Sequence, residues 1–210
     1  MKIKSLIIAA LCTVSVMCFS AEFNFTGDAI KDLTRYTRSH GNEIKTFSDI
    51  KNLVAEYKAK YPNVKNPAGS TIAVAYLTVA RTNKTVYQEA LAECENLKTL
   101  QKTNVYWNNK FHLIFYAGKN NITNTEYFKG ITECLVTGDL SKSYFPRAIE
   151  ALIKNDINVD RELKIKCYQQ IFEKYYVELA ETTNKEHYNA MKTALSKVGL
   201  KLKSLGIDVK

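Results

Sequence analysis

Glycine and proline are scarce in this chain, at eight and three of 210 positions. β-Rich folds place these residues at every turn, so their scarcity, beside abundant Lys, Glu, Ala, Leu and Tyr, predicts helices joined by short polar connections. Histidine is rarer still. His40, His112 and His187 lie far apart, without the i, i+4 pair of a zinc-protease helix or a Cys and His cluster at zinc spacing, so no metal site is read. There is no Gly-x-Ser-x-Gly elbow, Walker loop or dinucleotide fingerprint, and the scattered glycines leave little room for a phosphate-cradling loop, so no cofactor is expected. The chain also lacks an apolar run of the ~20 residues that a spanning helix needs.

The one long charge-free apolar run, Leu6 through Phe19, follows Lys2 and Lys4 and precedes the small residues Ser20 and Ala21. A positive n-region, a short apolar core and small residues in that order read as a secretory signal peptide over residues 1–21, cut between Ser20 and Ala21 or just after Ala21. The expectation is a secreted or periplasmic protein whose mature part, residues 22–210, is a single all-helical domain. Cys12 and Cys18 would leave with the leader. Leu11 and Met17 before them are larger than the small residue that lipoprotein processing prefers.

Thirty basic against 21 acidic residues give a formal charge of +9, which becomes +7 without Lys2 and Lys4. The surplus is spread along the chain among acids and forms no concentrated stripe, and with export this makes nucleic acid an unsuitable partner. Weak contact with anionic lipid headgroups or envelope polymers is compatible with it. Cys94, Cys134 and Cys167 stay in the mature chain, an odd and sparse set unlike a disulfide scaffold. They are read as buried reduced thiols acting as small hydrophobes, with one bridge and one leftover thiol as the alternative.

From Asp28 onward apolar residues recur at spacings of three and four, interrupted every 15 to 25 positions, which predicts about nine helices. The first covers 28–39. The second follows Thr46 and ends before Pro62, and the third covers 70–81, where alternating Ile72, Val74, Tyr76 and Thr78 compete with helix-favouring alanines. The fourth opens on a Thr85 to Gln88 capping box. The fifth carries Val105 to Phe115 and ends near Gly118, and the sixth runs from Thr123 or Thr125 to Gly138. The seventh spans Ser141 or Ser143 to Lys154 with Pro146 in its first turn, the eighth is capped by Asp160, and the ninth runs from a Thr183 to Glu186 capping box to about Leu205.

Thr85, Tyr87, Leu91, Glu93 and Cys94 are echoed forty residues later by Thr125, Tyr127, Ile131, Glu133 and Cys134, with Ala90 answered by Gly130. Stacked helical hairpins produce such a recurrence, since each unit buries its apolar face on the next. The fold expected is therefore all-α: a helical-hairpin array of the TPR or HEAT type, or an irregular helical bundle. The tetratricopeptide signature itself is absent.

Three features are candidates for chemistry. Glu93 and Glu133 could form a paired-carboxylate site, though repeat-equivalent acids on helix faces are more often solvated. Val105 to Tyr116 is the richest aromatic segment. Trp107, Phe111 and Phe115 share one face and read as core, whereas Tyr106 and Tyr116 with Lys110 and Asn108 or Asn109 would line a groove for a peptide or sugar. On the last helix, Tyr188, Met191, Leu195, Val198, Leu202 and Leu205 form an apolar stripe, and Lys192, Lys197, Lys201 and Lys203 make the rest a basic face for a membrane or partner. The leading expectation is an exported binding or scaffolding module for a protein or envelope polymer, without catalysis. The alternatives are an exported hydrolase of envelope polymers with a site built from distant helices, and a peripheral membrane protein docking through its basic C-terminal helix.

Overall fold

The computed structural model describes residues 23–100, 103–138, 140 and 142–209. The leader expected over residues 1–21, its cleavage site and Ser141 lie outside the described residues. Within them all regular structure is helical. Helix α1 spans Ala29–Ser39, α2 Phe47–Lys60, α3 Ser70–Leu77 and α4 Lys84–Thr99. α5 starts as Thr103–Leu113 and continues through a π-helical turn, Ile114–Gly118, into Lys119–Asn121. α6 spans Asn124–Thr137, α7 Phe145–Lys154, α8 Arg161–Ala180 and α9 Lys185–Ser204, with short 3-10 turns at Gly41–Glu43 and Lys142–Tyr144.

Side chains that satisfy the free N–H groups of each first turn set where these helices begin. Asp28 caps α1, Asp160 caps α8, and two reciprocal capping boxes, Thr46 with Asp49 and Thr123 with Glu126, open α2 and α6. Two expected starts are corrected. α4 is capped by Asn83, whose side chain accepts from the Val86 N–H, so Thr85 lies inside the helix. α9 is capped by Asn184, which accepts from the His187 N–H and displaces Thr183. In both cases a neighbouring Asn took the cap that sequence spacing assigned to Thr.

α3 is shorter than the 70–81 expected. It stops at Leu77, where Thr78 leaves helical geometry and its hydroxyl turns back onto the Val74 carbonyl at 2.6 Å. Ile72, Ala73, Val74, Ala75 and Tyr76 are all buried. A helix covered on every side has no polar face, which is why its residues show no helical periodicity.

Most helix contacts follow chain order. Each helix packs on the next or the next but one: α1 on α2 and α3, α2 on α4, α3 on α4 and α5, α6 on α8, and α9 on α7 and α8. One continuous core runs from Leu33 to Leu202 and includes the completely buried Phe128, Phe145 and Tyr168. Gly130, the small residue in the forty-residue echo, has a packing reason, since a Cβ there would stand 2.9 Å from the Ile114 side chain of α5. Bare backbone is what lets α6 lie against the π turn.

Candidate functional site

α5 carries two separate clusters, and the groove expected from Tyr106, Lys110 and Tyr116 is divided between them. The first centres on the buried Tyr106 and the mostly buried Lys110, with half-exposed Glu95 and Glu133 at its edge. Lys110 Nζ donates to Tyr106 Oη at 2.9 Å and to Glu133 Oε2 at 3.1 Å, and Tyr106 Oη donates to Glu95 Oε1 at 3.0 Å. Lys110 also lies over the Trp107 ring at 5.4 Å. Tyr106 is 1% exposed, which corrects its reading as a groove-lining ring. Burial disfavours the Lys110 ammonium, but its hydrogen bonds to Tyr106 and Glu133 outweigh that and raise its pKa. Lys110 is thus a protonated strut between α4, α5 and α6, unsuited to act as a base or nucleophile.

The second cluster is the aromatic face of α3 and α5. Here Tyr76 stacks on Tyr116 at 5.7 Å between ring centres, His112 lies 5.9 Å from Tyr116, and Phe111 stacks on Phe115 at 5.4 Å. Tyr144, from the 3-10 turn before α7, meets Phe111 at 5.5 Å and His112 edge-on at 4.8 Å. The Arg81 guanidinium lies over the Tyr116 ring at 5.3 Å. His112, Phe115, Tyr116 and Tyr144 are half-buried, so ring surface remains open to solvent. Burial pushes the His112 pKa below its usual value, favouring the neutral imidazole beside the Tyr76 hydroxyl at 3.5 Å.

The i, i+4 spacings of Phe111 with Phe115 and of His112 with Tyr116 line these rings along one side of α5, and Phe115 and Tyr116 fall within its π turn. Trp107 and Phe111 are buried as expected of core residues, while Phe115, expected beside them, is half-buried and stacked on Phe111. The Asn121 side chain fixes the end of the turn by donating to the carbonyls of Ala117 and Ala80, both at 2.7 Å. The chain matches none of the protein families, curated proteins or solved structures with which it was compared.

The remaining candidates fall elsewhere. Glu93 pairs with Lys51 at 3.0 Å and Glu133 with Lys110 at 3.1 Å, so each carboxylate of the expected pair is held by its own lysine. Cys94 and Cys134 are fully buried and Cys167 nearly so, all three as free thiols, and burial pushes the first two up to about 12. On α9, Lys197 pairs with Glu150 at 2.8 Å and Lys201 with Asp156 at 2.7 Å, while Lys192 and Lys203 are exposed. Tyr76, Arg81 and Tyr144 were not singled out by sequence. Only the i, i+4 spacing of His112 and Tyr116 signals the face, and its other members arrive from α3 and the 142–144 turn.

Proposed function

We propose that this protein is an exported, non-catalytic module that binds a protein or envelope polymer through the aromatic face of α3 and α5. The observation that carries the reading is the group of open rings, Phe115, Tyr116 and Tyr144, around neutral His112 and Arg81. Half-buried aromatic side chains have lost most of their conformational freedom before a ligand arrives, and they offer flat apolar area beside hydrogen-bonding groups. Peptide and sugar sites use both properties. The larger architecture supports the same reading. Helices that pack on the next and next but one are compatible with a TPR- or HEAT-like array, in which successive hairpins would present one extended surface.

Site-specific photo-crosslinking tests it. A benzoylphenylalanine replacing Tyr116 or Tyr144 in the producing cell should yield a discrete adduct of higher mass, and the same probe replacing Lys58, on α2, should not. Equal labelling from all three positions would refute a specific aromatic site.

A further inference from the structure

The C-terminal end of the molecule has a different chemistry from the aromatic face. α7 and α9 carry seven Lys or Arg residues against Glu150 and Glu186, a net of +5 within a chain whose total is +9. Lys154, Lys192 and Lys203 have no carboxylate partner among the described residues. α9 turns Met191, Leu195, Val198 and Leu202 into the core. Its outward ridge is then Lys192, Ser196, Leu200 and Lys203, with Leu200 68% exposed in the middle. Ile157, in the loop after α7, is 64% exposed. The ion pair of Lys201 with its neighbour Asp156 holds that loop beside α9. Between α7 and α9 runs an open hollow of about 550 Å³, lined by Ile153, Leu200, Ser204, Lys154, Lys201 and the Glu150–Lys197 ion pair.

We infer that this end docks on the surface of an anionic lipid bilayer. Leu200 and Ile157 enter the interface, Lys154, Lys192 and Lys203 meet the headgroups, and the hollow behind Leu200 takes an acyl segment under its lysine rim. Two features favour a bilayer over an acidic protein segment. The apolar side chains project outward at the rim, where a fluid interface accepts them without a matching pocket. The free ammonium groups stand on both helices around them, as an extended charged plane requires. Lys197 and Lys201 serve instead to fix the geometry of α9 against α7 and its following loop. This docking is independent of the aromatic-face reading, because it uses other helices and other residues.

Vesicle co-sedimentation tests it, using the chain from residue 22 onward, which contains the entire described core. The chain should bind vesicles of phosphatidylglycerol in phosphatidylcholine, should not bind phosphatidylcholine alone, and should lose affinity as salt rises. Leu200→Gln should weaken binding about tenfold, and Lys154→Glu with Lys203→Glu by about tenfold or more, at unchanged thermal stability because these side chains are exposed. Failure to bind anionic vesicles would overturn the inference and point to an acidic protein segment as the occupant. Equal binding to both vesicle types, or binding indifferent to these substitutions, would overturn it as well.

Discussion

Cys94 and Cys134 show how one residue type can be chemically silent. Both sit at equivalent points of the forty-residue echo, on the inner faces of α4 and α6, with no exposed surface. A thiol reacts as thiolate, and burial that pushes the pKa up to about 12 leaves almost none at neutral pH. Both should resist a small alkylating reagent in the native protein and react after denaturation, by mass spectrometry of the labelled chain, and rapid native labelling of either would contradict their burial. His112 behaves in the opposite way. Burial lowers its folded pKa below the ordinary 6.5, so under mild acid the unfolded chain binds a proton that the folded chain refuses. Its contribution to stability is complete above about pH 6.5 and is lost as pH falls through the folded pKa. The melting temperature should therefore drop between about pH 7.5 and pH 5.5, and His112→Phe should flatten that dependence.

At the scale of the helices, α9 shows how far periodicity reaches. Its apolar stripe was legible in sequence, and Met191, Leu195, Val198 and Leu202 are buried against α7 and α8. Tyr188 and Leu205, at the stripe's ends, stay partly exposed. Leu195→Ala removes packed atoms from a side chain 5% exposed, a change that costs about 2 to 5 kcal/mol in comparable cores. Thermal unfolding should shift down by several degrees, and an unchanged melting curve would show that α9 is not part of the cooperative core. The capping boxes of α2 and α6 add an acid-sensitive element. Backbone N–H groups hold the Asp49 carboxyl below 3.8, and the Thr123 N–H does the same for Glu126 below 4.5, so their support is present above these values and lost as pH falls further. Helix positions and most caps could be read locally, since spacing and capping are local chemistry. α3 was harder, because a helix buried all round carries no periodic signal, and the π turn of α5 leaves no pattern in its residues.

At the scale of the molecule, the contacts that make the aromatic face are tertiary. Tyr76 and Tyr144 stand 68 residues apart, and only the succession of α3, α5 and the 142–144 turn brings both against His112. Sequence placed Tyr116 on a ligand surface beside Tyr106 and Lys110, and folding sends those two inward to tie α4, α5 and α6 together. The central claim is that the face left outside is the binding surface. The direct measurement compares the affinity of the chain from residue 22 onward for a solubilised envelope fraction with that of a Tyr116→Ala, Tyr144→Ala double variant of equal melting temperature. Loss of two central aromatic contacts should weaken retention by about tenfold or more. Retention unchanged in the double variant would contradict the account.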